Sequence, residues 1–146
     1  MTLDQASMQG IKAWAAVNPR KLREALDANP SYVFFRELPD GEAAAGPPPG
    51  PIGTLGVPLT VGYSLAVDAR TIPLGAPLYL ATTFPLSAQP LERLMSAQDT
   101  GGAIRGAVRA DFYWGSGAEA GTLAGRMRQQ GRLWILWPKG AGAPKP

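Results

Sequence analysis

Arg93-Leu94-Met95-Ser96-Ala97-Gln98-Asp99-Thr100-Gly101-Gly102, followed directly by Ala103-Ile104-Arg105-Gly106-Ala107-Val108-Arg109-Ala110-Asp111-Phe112, decides the fold class. Two short runs, Arg93 to Gln98 and Arg105 to Phe112, are separated by a glycine pair that admits dihedrals closed to other residues. In the second run, alternation sets Val108, Ala110 and Phe112 on one face and Arg109, Asp111 and Tyr113 on the other. Short strands punctuated by turns continue on both sides, at Gly53 to Val57, Ser64 to Val67, Pro77 to Thr82 and Arg132 to Leu136. Their regular spacing predicts a barrel. Leu133 to Trp137 is nearly all apolar, which suits a strand covered on both faces. One helix interrupts the strands, from Ala118 to about Gln129, with Ser116 and Glu119 at capping-box spacing. Its inner face carries Leu123, Ala124 and Met127, and Gly131 stands just past its end.

Upstream the period changes. Thr2-Leu3-Asp4-Gln5 fits a capping box, and Met8, Ile11, Trp14 and Ala15 recur at helical spacing, which predicts a helix from Leu3 to Ala16. Asn18 as cap and Pro19 at the first helical position start a second helix, which Asn29-Pro30 stops. Tyr32 to Phe35 reads as a buried strand, and Arg36 to Pro51 as an exposed loop of Gly, Ala, Pro and acids. The fold class is mainly β with flanking helices, an α+β architecture. Residues 1–31 form a helical hairpin leading into the barrel. Residues 32–139 are the barrel segment, with a loop at 38–51, and residues 140–146 are a flexible tail.

Composition narrows the chemistry. The chain has 146 residues, room for one small domain, and its 18 Gly and 15 Pro are too many for a helical bundle. It contains no Cys and no His, which removes disulfides, thiolate zinc sites, cysteine nucleophiles and serine–histidine triads. Any proton transfer falls to carboxylates. The net charge of +3 is spread along the chain with no basic arm, so a nucleic-acid partner is not expected. Arg93 to Arg132 holds six Arg and no Lys, most simply read as solvated surface charge. No apolar run approaches the ~18 residues of a membrane span, and no signal peptide or lipidation cysteine is read in this stretch, which leaves the expectation of a targeting segment elsewhere in a longer protein.

Of the eleven carboxylates, Asp4, Glu24, Asp27, Asp40, Glu42 and Glu119 have ordinary places in helix turns, polar faces and the loop. Asp68, Asp99 and Asp111 stand where chemistry would use them. Asp68 ends a strand and caps the next turn, or does more. Asp99 precedes the glycine pair, where a ligand can approach the backbone; an Asx-turn is the plainer alternative. Asp111, flanked by Phe112 and Trp114, is a candidate for a desolvated carboxyl that serves as general acid. Pairing with Arg109 or Arg105 is the competing explanation. Tyr113, Trp114, Trp134 and Trp137 suit stacking on sugar rings, although core packing is the first expectation, above all for Trp134.

The blocks Ala97-Gln98-Asp99-Thr100-Gly101-Gly102-Ala103-Ile104-Arg105-Gly106, Val108-Arg109-Ala110-Asp111-Phe112-Tyr113-Trp114-Gly115 and Ala124-Gly125-Arg126-Met127 resemble the three-aspartate (3D) domain of the membrane-bound lytic transglycosylase A family. Leu65-Ala66-Val67-Asp68 with Ile72-Pro73-Leu74-Gly75 matches the first aspartate block. Ser7-Met8-Gln9-Gly10-Ile11 and Asn29 to Glu37 resemble the family's approach to that domain.

The resemblance implies a double-psi β-barrel. It also implies non-hydrolytic cleavage of the β-1,4 bond between N-acetylmuramic acid and N-acetylglucosamine in peptidoglycan, leaving 1,6-anhydro ends, with no cofactor and no metal. Asp111 matches the catalytic acid/base and Asp99 the aspartate that organises the site with Thr100, Gly101 and Gly102. Arg109 is implied in substrate binding and Asp68 in structural support. The implied location is the periplasm, in association with the outer membrane. Family members also carry an earlier portion of the barrel and an inserted second β-domain, neither of which is expected in this chain. The barrel is therefore expected to be incomplete, and the N-terminal remainder of the same protein is the expected partner besides the glycan strands. A non-catalytic wall-glycan-binding barrel, or a module that completes a partner's barrel, is the alternative function.

Overall fold

Ser64-Leu65-Ala66-Val67 forms β1, a largely buried strand. The structure is a computed structural model that describes residues 7–31, 34 and 50–142, and the chain divides into two compact units, Met1–Glu42 and Ala43–Pro146. In the second unit β1 is joined by β2 (Pro77–Thr83), β3 (Pro90–Thr100), β4 (Ala110–Phe112) and β5 (Arg132–Ile135) in one sheet of order β4-β1-β3-β2-β5. The pair β1 and β3 is parallel; every other pair is antiparallel. Helix α3 (Ala118–Arg126) follows β4.

Alternation builds the core from one face of this sheet. Leu65, Val67, Leu78, Met95 and Ala97 cluster with Ile72 and Ala76 from the loop after β1, and Leu74, Leu80, Ala110, Phe112, Leu133 and Ile135 pack against them. Leu65, Ile72 and Leu78 are essentially inaccessible, each contributing about 1.5–3 kcal/mol of burial.

A bulge in the β1–β3 register decides which residues share the opposite face. Ser64 faces Ser96 and Leu65 faces Ala97, but Ala66 faces Asp99. Gln98 is the extra residue. Ala97 is in the core, so strict alternation would turn Asp99 inward as well; the inserted residue reverses the sense and sets Asp99 beside Ala66 on the outer face. Gln98 is held by its own bonds: its side-chain oxygen accepts the hydroxyl of buried Ser64, and its backbone carbonyl accepts Leu55 N–H at 3.0 Å.

Several expected elements differ. Gly53 to Val57 is not a strand but a tight loop closed by an Ile52–Pro58 bridge and laid onto β3. A Cβ at Gly53 would stand 2.5 Å from the Gln98 carbonyl, so only glycine allows this approach. The run Arg105 to Phe112 is extended only over β4. Its first part is a turn in which Arg109 N–H bonds to Gly106 O at 3.4 Å, and a separate turn before it, closed by Ile104 N–H to Gly101 O, is anchored by buried Ile104. The Ser116–Glu119 capping box does not form: Gly117, at φ 96°, opens α3 without a side-chain cap, and the helix ends at Arg126, before Gln129. Ala120, not Ala124, is its buried residue. Strand β5 is an edge strand with one neighbour, and Trp134, Leu136 and Trp137 are more than 40% exposed, so the expectation of cover on both faces fails. Trp134 stacks on Tyr79 from β2 under the Arg132 guanidinium instead of filling the core.

In the first unit α1 (Met8–Val17) is capped by Ser7, whose hydroxyl oxygen accepts Gly10 N–H at 3.1 Å. The capping box at Thr2 to Gln5 lies outside the described residues. Asn18 serves the end of α1, donating its side-chain amide to Trp14 O, and gives no side-chain bond to the turn that Pro19 opens. That turn leads into α2 (Leu22–Asp27). The expected strand Tyr32 to Phe35, apart from Phe34, and nearly all of the 36–51 loop also lie outside the described residues. No helix among the described residues is long and apolar enough to cross a membrane.

Candidate functional site

Three adjacent strands carry Asp111, Ala66 and Asp99 in one row. Ala66 pairs with Asp111 of β4 on one side and with Asp99 of β3 on the other. Residues opposite one another on neighbouring strands point to the same face, and two strand spacings separate the two aspartate backbones by about 9–10 Å. The methyl group between them leaves open space. A cavity of about 320 Å³ occupies it, lined by Asp99, Thr100 and Gly101 on one wall, Asp111, Phe112 and Tyr113 on the other, with Ser64, Leu65 and Ala66 between.

Asp111 is 60% exposed, and its nearest charge is the Arg109 guanidinium, with Nε 3.8 Å from Oδ1. The apolar enclosure expected from its neighbours is not present. Phe112 and Trp114 pack on each other with ring centroids 4.5 Å apart, and Trp114 also meets Phe84, so these rings serve packing and do not cover the carboxylate. Arg109 does not line the cavity. It lines a second groove together with Trp114, Met127, Arg128 and Gln129, and Asp111 borders both.

Asp99 is half-buried and lies within β3, one residue before its end, so the Asx-turn alternative does not apply. Its Oδ1 accepts Thr54 N–H at 3.0 Å and Thr54 Oγ–H at 2.8 Å. Thr54 Oγ1 lies 2.9 Å from Thr100 Oγ1. Sequence reasoning missed Thr54, because Gly53 to Val57 was expected as a strand. The signal that could have found it is the pair Gly53 and Gly56 flanking a hydroxyl residue, a pattern that suits a tight loop better than a strand interior. Gly101 lines the cavity, where a Cβ would press on Ile104 at 2.9 Å; Gly102 is exposed, faces open space and is not part of the wall.

Asp68 is buried, 3% exposed, and lies at the end of β1. Arg70 grips it in a bidentate pair, Nε to Oδ1 at 2.9 Å and Nη2 to Oδ2 at 2.6 Å, and Gly106 N–H donates to Oδ2 at 2.7 Å. The carboxylate thus ties the end of β1 to the loop that leads into β4, and so sets where Asp111 stands. The Arg70 side-chain bonds first, then the Gly106 N–H, hold its pKa far below the ordinary 3.8, against the opposing effect of burial. Because the folded-state pKa is depressed, its stabilisation is present above about pH 3.8 and fades as pH falls below that value. Asp68→Asn should lower Tm at pH 7 by several degrees and flatten the fall of Tm between about pH 4 and pH 2 relative to the parent. Circular-dichroism melts across that range check both; parallel curves for the two proteins would remove this role. Among the described residues, no group of three or more potential metal ligands comes together.

Comparison with known proteins gives concordant matches. Residues 63–137 match the family model described as the 3D domain, and residues 1–36 match the MltA specific insert domain. The second match corrects the expectation that nothing of the inserted domain is present. The membrane-bound lytic murein transglycosylase A of Escherichia coli strain K12 is 37% identical over 91% of this chain and 36% of its own length; that of Vibrio cholerae is 36% identical over 91% and 35%. Among solved structures, MltA from Neisseria gonorrhoeae superposes with a TM-score of 0.82 at 50% identity, over 97% of this chain and 35% of that one. E. coli MltA with bound chitohexaose superposes at 0.72 with 36% identity, over 90% and 39%. The chain spans about a third of the length of the curated relatives it matches.

Proposed function

This chain belongs to the 3D domain family, in its membrane-bound lytic transglycosylase A branch, and from that premise we propose that it carries the acid/base half of a peptidoglycan lytic transglycosylase. The reaction cleaves the β-1,4 bond between N-acetylmuramic acid and N-acetylglucosamine without water. Asp111 protonates the leaving glycosidic oxygen and then, as a carboxylate, takes the proton of the muramyl C6 hydroxyl as that oxygen attacks C1, giving a 1,6-anhydro end. Ordinary glycosidases need two carboxylates. Here the nucleophile belongs to the substrate, so binding already supplies its orientation and one acid/base suffices. Exposure of Asp111 suits this role, since the group must reach a glycan lying over the sheet.

The observation that carries the reading is the row of Asp111, Ala66 and Asp99 along one cavity. Asp99, Thr100 and Gly101 form the facing wall. Arg109 and Gly102 are assigned to the outer rim of the glycan path, and Asp68 to holding the β4 loop. We assign residues 32–139 to part of a double-psi barrel, supported by the parallel β1–β3 pair within an otherwise antiparallel sheet, after a helical hairpin at 1–31 and before a tail at 140–146. The remaining barrel strands come from the N-terminal part of the same protein, supported by a further open groove on the core side lined by Leu65, Leu80, Phe112 and Leu133. The proposed setting is the periplasmic side of the outer membrane; the name of the curated relatives, membrane-bound, supports the membrane association. Incubation of purified sacculi with the full-length protein, followed by mass spectrometry of the soluble muropeptides, tests the activity: 1,6-anhydro ends are expected, and reducing ends alone would refute it.

A further inference from the structure

We propose that Thr54 is a positioning residue for this site, fixing the Asp99 carboxylate and the Thr100 hydroxyl so that together they offer only hydrogen-bond acceptors to a sugar hydroxyl in the cavity shared with Asp111. The inference rests on the functional reading above and assigns part of its substrate recognition. Thr54 comes from the loop that Gly53 and Leu55 pin to β3, through the close approach to Gln98 O and the Leu55 N–H bond to the same carbonyl. Its own N–H and Oγ–H both go to Asp99 Oδ1. A lone aspartate turns easily about its terminal torsion; two donors on one oxygen stop that rotation. Among the described residues Oδ2 accepts no bond and remains for a ligand.

Proton counting then sets the role of Thr100. A hydroxyl has one hydrogen, and that of Thr54 is given to Asp99, so in the 2.9 Å contact between Thr54 Oγ1 and Thr100 Oγ1 the donor is Thr100. With its hydrogen committed, Thr100 has only lone pairs left for the cavity it lines. A wall of one carboxylate oxygen and one hydroxyl oxygen, both acceptors, takes an O–H or N–H of a sugar and repels a carbonyl or carboxylate.

The test compares Thr54→Val, which keeps the shape and the N–H but loses the hydroxyl, with Thr54→Ser, which restores it, in the full-length protein acting on sacculi. Thr54→Val should lower kcat by about 10–100-fold with KM within about twofold, while Thr54→Ser stays within about threefold of the parent. Melting curves accompany each variant, and Thr54→Ala against Thr54→Ser makes the same comparison should the valine variant fail to fold. A valine variant within about threefold of the parent, or a serine variant as slow as the valine one, overturns the inference. A parent protein that releases no anhydro ends overturns the functional reading itself; an active parent indifferent to the hydroxyl overturns only this step.

Discussion

Asp111→Asn in the full-length protein should cut the release of 1,6-anhydro muropeptides by about 10²–10⁴-fold, the usual scale for loss of a general acid/base, with no change in melting temperature. The two halves of this expectation have separate physical sources. Asparagine has the size of aspartate but cannot give and recover a proton, so the cycle of protonation and deprotonation stops. The fold does not depend on the charge: Asp111 is 60% exposed, its ion pair with Arg109 is long at 3.8 Å and exposed on both sides, and β4 pairs with β1 through backbone groups that the substitution leaves intact. Such exposed pairs contribute little to stability. Quantifying anhydro ends by mass spectrometry, with melting curves in parallel, checks both halves. A variant with near-parental activity would transfer the acid/base role to Asp99, the other carboxylate on the cavity.

What the sequence showed follows from how local each feature is. Strands β1, β2 and β3 were legible within a residue or two at most of their ends, because β-branched and apolar residues alternate there between turn residues. The three aspartates were legible too, since most of the other carboxylates had plain structural places. Two kinds of feature were not. The bulge at Gln98 and the loop at Thr54 are fixed by contacts between residues far apart in sequence, 34 positions for Ser64 and Gln98 and 45 for Thr54 and Asp99, and no pattern within the stretch 93–112 announces that Asp99 turns outward to join Asp111. Exposure failed for a related reason. A carboxylate between Phe112 and Trp114 in sequence is enclosed only if those rings turn toward it, and here they turn toward each other and Phe84. Likewise Leu133 to Trp137 is apolar enough for a covered strand, yet its place at the sheet edge is a property of topology, not of composition.

That edge, with the open face beside it, governs the other large effect: the 146-residue chain alone should neither migrate as a well-behaved monomer nor turn over sacculi, and both properties should return on addition of the polypeptide proposed to carry the remaining barrel strands. Leu65, Leu80, Phe112 and Leu133 belong to the core side of the sheet, yet they border an open groove of about 320 Å³, and Val108 at its rim is 97% exposed. At one end of the sheet β4 is three residues long and, among the described residues, pairs only with β1; at the other, β5 offers its outer edge with Trp134 and Trp137 nearby. Open edges beside apolar surface associate with whatever strand or face is offered, and barrels remove the problem by closing. The companion strands are the favoured occupant because they would bury this groove and pair an edge in one step, while self-association would leave part of the apolar face wet. Light scattering of the isolated chain should therefore give masses above 15.4 kDa that collapse to a one-to-one complex when the companion polypeptide is added, with anhydro-product release appearing only in the complex. A cooperatively melting 15.4 kDa monomer that ignores the companion polypeptide would refute the open barrel and leave the sheet as a complete fold in itself.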